Sequence, residues 1–204
     1  MELYDTEEQQ VEAIKDWWKE NGKSVILGAV IGLGGLFGWR YYQDSVTVAQ
    51  EAASESYTKA VQQLAENNTD GEAALQAFID ANNDSQYAVL AALQLAKVQV
   101  EAGEFDEALA QLEWAKSATE DQALSSVITF RLARLKLEQS DFDAALAELS
   151  SITDESWAGR VAELKGDILL RKGDSESAYT AYVEAQQAED ASQTLQMKLD
   201  DLAK

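Results

Sequence analysis

The chain has 204 residues and a net charge of −21, and it contains no cysteine, histidine or proline. The missing cysteine and histidine exclude thiolate catalysis, Ser-His and Cys-His pairs and the usual zinc sites, so we expect no metal and no cofactor. An acidic surface repels phosphate backbones, which argues against a nucleic-acid partner. A proline-free chain rich in alanine, leucine, glutamate and glutamine is expected to be all-α.

Residues 1–23 are predicted to form an amphipathic segment on the cytoplasmic side of a membrane. Asn21–Gly22 is expected to end its helix. The segment fits a helix in the membrane interface, and a contact helix for a cytoplasmic partner is the alternative. Its apolar stripe consists of Val11, Ile14, Trp17 and Trp18.

Residues 24–42 are predicted to form a transmembrane helix. The stretch from Ser24 to Trp39 holds sixteen residues without a charge, which makes about 24 Å of helix against a hydrocarbon core of about 30 Å. Basic and aromatic flanking residues can cover the remaining distance. A buried core helix and a cleaved signal peptide are the alternatives, but no Ala-x-Ala site follows the apolar run.

The basic residues beside this stretch predict its direction. Lys15, Lys19 and Lys23 precede it, whereas Arg40 alone follows it closely. The positive-inside rule therefore places the N-terminus in the cytoplasm and residues 43–204 across the membrane.

Glycines give the predicted span one smooth side. Gly28, Gly32 and Gly35 share a helical face, which would let another helix approach its backbone closely. We interpret this face as a docking surface for a membrane partner or a second copy. The alternative is that glycine is simply common in membrane helices.

Three segments of residues 43–204 repeat one another, which predicts an α-solenoid of tetratricopeptide-like helix pairs. The offsets of 37 and 33 residues between copies bracket the 34-residue tetratricopeptide period. Because one helix pair buries only part of its apolar surface, neighbouring pairs are expected to stack. Small residues align as Ala96, Ala133 and Gly166, turns as Gly103, Ser140 and Gly173, and second-helix alanines as Ala108, Ala145 and Ala178.

Both ends of this array are predicted to depart from the pattern. A degenerate repeat is expected over residues 46–82, where Ala74 precedes Ala108 by 34 residues and Gly71 replaces an aromatic residue. Residues 192–204 are expected to form a capping helix. Its apolar positions are Leu195, Leu199 and Leu202.

Basic residues concentrate on the first helices of the second and third copies. First helices line the inner face of such a solenoid, so Leu93, Lys97, Phe130 and Arg134 are predicted to face a groove for an extended segment of a partner. The alternative is that the basic residues pair with acids of the second helices. Seven of the twelve positive residues after the span lie on these helices: Arg131, Arg134, Lys136, Arg160, Lys165, Arg171 and Lys172.

Several segments carry a more specific pattern. They are Val11–Lys15, Glu20–Lys23, Gly38–Tyr42, Arg131–Arg134, Trp157–Asp167, Lys172–Asp174 and the terminal Q-M-K-L-D-D-L. With these segments the chain resembles, over essentially its whole length, the ancillary SecYEG translocon subunit family of Gram-negative inner membranes (the YfgM type). Two marks of the tetratricopeptide pattern, an early tryptophan and a terminal proline in each repeat, are missing.

The resemblance implies a single-pass inner-membrane protein with a periplasmic tetratricopeptide-like domain. It implies association with the SecYEG translocon and with a PpiD-like periplasmic chaperone, and a part in the handover of newly translocated polypeptides. The family has no defined catalytic residues, so we expect no enzyme. An envelope scaffold with another partner and a hydrolase with paired carboxylates are the alternative functions.

Overall fold

A computed structural model describes residues 7–66 and 68–202, and within them it shows helices, turns and no strand. Residues 1–6 of the predicted segment 1–23, residue 67 of the degenerate repeat and residues 203–204 of the tail lie outside the described residues. The helices are α1 (Glu7–Glu66), α2 (Asn68–Ala81), α3 (Gln86–Ala102), α4 (Phe105–Ala118), α5 (Gln122–Glu138), α6 (Phe142–Ser150), α7 (Ala158–Lys172), α8 (Ser175–Gln186) and α9 (Leu195–Leu202), with a 3-10 turn at Glu155–Trp157.

The chain divides into two compact units, residues 1–52 and residues 53–204. In the first unit, the expectation that Asn21–Gly22 ends the helix is wrong, because α1 continues through both residues. The Asn21 side chain donates a 3.0 Å hydrogen bond to the Trp17 carbonyl oxygen. The Trp18 ring lies over Gly22, and a helical glycine costs only about 1 kcal/mol relative to alanine, so the helix persists.

In the second unit, helices α3/α4, α5/α6 and α7/α8 form three antiparallel pairs, which confirms the predicted tetratricopeptide-like fold. Each pair is joined through a residue with left-handed backbone: Gly103 at φ 82°, Ser140 at φ 62° and Gly173 at φ 94°. The next amide in each case donates back to the first helix, as in the 2.8 Å bond from the Glu104 nitrogen to the Gln99 oxygen. These bonds satisfy carbonyl oxygens that the helix end would otherwise leave unpaired.

Small residues allow the paired helices to approach closely, as the repeat pattern predicts. In the third pair the nearest neighbour of Gly166 is the Tyr182 ring, which would collide with any β-carbon at that position. The other aligned small residues are buried as well: Ala96, Ala133, Ala108, Ala145 and Ala178.

The alignment of the degenerate repeat is wrong by three residues. Buried residues recur along α2 at Gly71, Leu75 and Phe78 and along α4 at Ala108, Leu112 and Ala115, which sets the offset at 37 rather than 34. Gly71, rather than Ala74, therefore occupies the position of Ala108. Gly71 is buried and lies directly against the backbone of α1 at Leu64, whereas Ala74 is half-buried. The offset of 37 residues is the same as that between Ala108 and Ala145, so the degenerate repeat follows the spacing of the next two copies rather than the 34-residue period.

The predicted capping helix is present as α9. Leu195 and Leu199 are buried and pack with Ala178, Tyr182 and Ala185 of α8, while Leu202 is partly buried at the same cluster. The third helix pair thus has its outer apolar face covered by α9, as the prediction of a capping helix requires.

Ion pairs connect one helix pair to the next. Glu148 of α6 accepts a 2.7 Å hydrogen bond from Lys116 of α4 and a 2.8 Å bond from Lys136 of α5. Burial by itself would raise the pKa of the Glu148 carboxyl, but the two ammonium groups outweigh it and hold that pKa below its ordinary value of 4.5. Glu148 therefore fastens α6 to two helices at once.

Replacing Ser140 by glycine should stabilise the protein. A non-glycine residue at φ 62° carries a steric cost that glycine avoids, so Ser140→Gly is expected to raise the free energy of unfolding by about 0.5–1 kcal/mol. Urea unfolding followed by circular dichroism measures it. Gln187→Gly is the matched control, since Gln187 also follows a helix but at φ −84°; this variant should lose stability, and a gain in both would contradict the argument.

Glu148→Gln should change how stability depends on pH. A carboxyl whose pKa is lower in the folded state stabilises fully above its unfolded pKa, and this contribution disappears as the pH falls through the folded value. We expect Glu148→Gln to lower the free energy of unfolding by about 1–2 kcal/mol at pH 7. Below pH 4.5 the stability of this variant should fall less steeply with pH than that of the unsubstituted protein. Thermal unfolding at several pH values tests this.

Glu113→Gln is the control for that experiment, because Glu113 is exposed on α4 and has no partner among the described side chains. If both variants lose stability with pH in the same way, the pairing of Glu148 does not supply the acid-sensitive contribution.

Candidate functional site

A groove of about 490 Å³ lies between the first helices of the first two complete pairs, α3 and α5. We call it the α3–α5 groove. Its floor is apolar, since Leu93, Leu112 and Leu135 are almost fully buried, and charged side chains stand on its walls. The residues that line it are Leu93, Ala96, Lys97, Val100, Glu101, Leu112, Arg131, Arg134, Leu135 and Glu138.

Three of the four predicted groove residues come together there, and the fourth does not. Leu93, Lys97 and Arg134 line the α3–α5 groove. Phe130 is absent from the lining and instead packs on Trp157, with ring centroids 5.4 Å apart. The repeat position predicted an inward direction for Phe130, but the 3-10 turn before α7 brings Trp157 over it.

Trp157 belongs to a cluster at the start of α7. The Arg160 guanidinium lies 5.0 Å from the Trp157 ring centre. Asp190 accepts a 2.7 Å hydrogen bond from the Gly159 nitrogen and a 3.2 Å bond from the Arg160 nitrogen, which caps the first turn of α7. A β-carbon at Gly159 would collide with the Asp190 carboxylate. These contacts give the Trp-Ala-Gly-Arg segment a structural explanation.

A second cluster of charged residues holds α9 in place. Lys198 contacts Glu163 at 2.8 Å and Asp167 at 2.6 Å, and the Tyr182 hydroxyl donates a 2.7 Å bond to Asp167. Burial and the neighbouring carboxylates raise the pKa of the Tyr182 hydroxyl. Burial opposes the charged form of Lys198, yet its bonds to Asp167 and Glu163 prevail and raise its pKa. The terminal Q-M-K-L segment is thus explained by the acids of α7.

The seven basic residues fall into two groups. Lys136, Arg160, Arg171 and Lys172 pair with acids of the same unit. Arg131, Arg134 and Lys165 have no ion-pair partner among the described side chains. Arg131 lines the α3–α5 groove although the sequence interpretation left it out of the groove residues. Its spacing of three residues from Arg134 was the available signal, because such positions share a helix face.

The first unit offers a different surface. Among the described residues, α1 is the helix that is long and apolar enough to cross a membrane, and its most apolar part is almost wholly exposed. Apolar side chains such as Leu36 and Phe37 are exposed. A β-carbon added at Gly28, Gly32 or Gly35 would meet nothing within 4 Å, and the same holds at Gly34 and Gly38, so the docking face stays a prediction.

Comparison with known proteins first gives the class. A family model described as a tetratricopeptide repeat-like domain matches residues 15–204. The fold is similar to a crystal structure of a tetratricopeptide repeat protein from Parabacteroides merdae, with a TM-score of 0.59 at 15% identity over 73% of this chain. The alignment spans 60% of that protein's length. The chain is therefore a tetratricopeptide-like solenoid.

Sequence relatives then give the family. The chain is 39% identical to the ancillary SecYEG translocon subunit of Escherichia coli (strain K12), and the match covers all of both chains. It is 36% identical to the subunit of that name from Haemophilus influenzae, over 96% of this chain and 97% of the relative. A relative of the same name in Aggregatibacter actinomycetemcomitans is 37% identical over the same shares. The chain belongs to the family of ancillary SecYEG translocon subunits.

The position of Phe130 predicts a difference between two substitutions. Phe130→Ala should lower the free energy of unfolding by about 2 kcal/mol, because it removes packing on Trp157. The loss should be smaller than for a fully buried phenylalanine, since Phe130 is only partly buried. Arg134→Ala should change it by less than about 0.5 kcal/mol, because Arg134 is exposed and unpaired. Thermal unfolding compares them, and equal destabilisation by both would contradict the assignment of Phe130 to packing.

Proposed function

We propose that this chain is a membrane-anchored accessory subunit of the SecYEG translocon. The observation that carries the proposal is full-length similarity to relatives named for that assembly, joined with the exposed apolar part of α1. The proposed arrangement has residues 1–23 in the cytoplasm, 24–42 across the inner membrane and 43–204 in the periplasm. The basic residues Lys15, Lys19 and Lys23 support this direction.

The anchor would dock through its glycine face. Without Cβ atoms at Gly28, Gly32 and Gly35, a neighbouring helix can approach the backbone of α1 and gain van der Waals contact over several turns. Lipid tails are as apolar as the side chains, so the hydrophobic effect contributes little to helix association inside a membrane. Close van der Waals contact of this kind is therefore a main source of that association. A transmembrane helix of the translocon is the proposed partner.

The solenoid would act by binding proteins beside the channel exit. Its role in this proposal is to hold a membrane-anchored chaperone of the PpiD type, which the resemblance implies, and to aid handover of newly translocated polypeptides. Tethering raises the effective concentration of the solenoid at the exit site, so a modest affinity suffices. The α3–α5 groove, with its apolar floor and cationic wall, is the proposed binding surface. The proposal includes no catalytic step.

Photo-crosslinking from α1 tests the proposed docking. A small photoreactive residue at Gly32 should give adducts with translocon subunits in native membranes, and the same residue at Phe37 should give markedly fewer, because Phe37 lies on the opposite face of the helix. The adducts are identified by mass spectrometry.

Copurification in mild detergent then shows whether a chaperone is bound to the same complexes.

Three results would contradict the proposal. Equal translocon adducts from Gly32 and Phe37 would show that α1 does not dock through its glycine face. Adducts with a second copy of the chain alone would show that the glycine face is a dimer surface. Adducts with other envelope proteins in place of the translocon would favour the scaffold function.

A further inference from the structure

Resting on the proposed function, we infer that the α3–α5 groove selects an extended segment of a partner protein in which an acidic side chain stands between apolar residues. Arg131 and Arg134 would receive its carboxylate. The sequence pattern predicted a groove with apolar and basic contacts, and the structure adds which cations are available and where they lie along it.

Unpaired cations are unusual among the described residues of the second unit. Residues 53–204 carry 12 basic and 28 acidic side chains, so most cations have an acid within reach. Eight of the eleven between residues 53 and 202 form ion pairs. The other three cations of this range do not: Arg131, Arg134 and Lys165. Two of these three line the α3–α5 groove.

The acids of the groove are already engaged. Glu138 makes two contacts with the Arg171 guanidinium, at 3.1 and 3.2 Å. Glu101 faces Lys97 at 3.7 Å. The two free guanidinium groups therefore retain their donors for a ligand.

The spacing of the two arginines suits one carboxylate. Residues three apart on a helix are neighbours, with about 5–6 Å between their Cβ atoms. Each guanidinium is a planar fork of donors that matches the two oxygens of a carboxylate. A lysine in either position would supply charge without that fork.

Apolar surface lies on both sides of the charged part. Along α3, Lys97 stands between Leu93 and Val100, and Val100 is 40% exposed. The α3 wall from Leu93 to Glu101 is about 12 Å long, enough for about four residues of extended chain. Because apolar residues flank the charged part of the α3 wall on both sides, at Leu93 and Val100, we commit to an internal Asp or Glu side chain rather than a chain terminus.

The acidic surroundings restrict the ligand further. The net charge of residues 53–204 is −16, which repels a polyanion at long range, whereas one carboxylate meets the arginines at short range. The groove thus favours a single acid among apolar residues over a strongly acidic segment.

Peptide selection on the full-length protein in detergent micelles tests the inference. A phage library presents random heptapeptides whose carboxyl ends are fused to the coat protein, so that side chains supply the carboxylates. The unsubstituted protein and Lys165→Gln should select peptides with Asp or Glu between apolar residues. The Arg131→Gln/Arg134→Gln double variant should bind those peptides at least about tenfold more weakly.

Lys165→Gln is the matched control, since it removes an unpaired exposed cation from α7, outside the groove. The Arg131→Lys/Arg134→Lys variant keeps both charges without the forks and should bind with intermediate affinity. It also keeps the inference testable if the glutamine double variant does not fold.

Several outcomes would overturn the inference. The selected peptides could lack acidic residues, the arginine double variant could select the same peptides, or no sequence could be enriched. A second library of peptides with free carboxyl ends adds a fourth such outcome, in which peptides are selected from that library alone. None of them bears on docking of α1, which the crosslinks from Gly32 report separately. Adducts with the translocon and a failed selection would leave the proposed docking of α1 on the translocon intact and remove this ligand of the groove.

Discussion

A single left-handed residue at the end of each first helix determines much of the second unit. At Gly103, Ser140 and Gly173 the chain reverses with the same pair of backbone hydrogen bonds, so each second helix returns along the first at a fixed position. The small residues of the two helices then lie opposite each other, and their approach leaves one apolar face exposed. That face is buried only when the next pair stacks on it. The groove follows from this stacking, because successive first helices line one side.

Features determined by neighbours in sequence were predictable from the sequence. The turns, the buried alanines and the terminal leucines all depend on residues within one helix pair, and their spacing shows directly in the chain. Features that depend on distant partners were not predictable. Phe130 has the position of a groove residue, yet Trp157, which follows it by 27 residues, covers it. The Asn21–Gly22 prediction failed for a local reason: α1 continues through both residues, with the Asn21 side chain bonded to the Trp17 carbonyl oxygen and the Trp18 ring beside Gly22.

The acidic composition has two effects that differ in range. At long range it gives the solenoid a field that disfavours polyanions. At short range it supplies partners for most of the cations, and pairs such as Lys116 with Glu148 connect one repeat to the next. Sequence alone could not separate cations that connect repeats from cations left free, since both kinds lie on the same helices. The distinction between Arg171 and Arg134 depends on side-chain geometry, which only the folded structure provides.

The bonds of Lys198 have a consequence for the order of events during synthesis. Lys198 is made more than thirty residues after its carboxylate partners, Glu163 and Asp167. Until α9 has emerged, Tyr182 lacks its cover and the acids of α7 lack their counter-ion. The α7/α8 pair is therefore completed only after α9 has left the ribosome. For as long as that takes, the unfinished end exposes an apolar surface of the kind that chaperones bind.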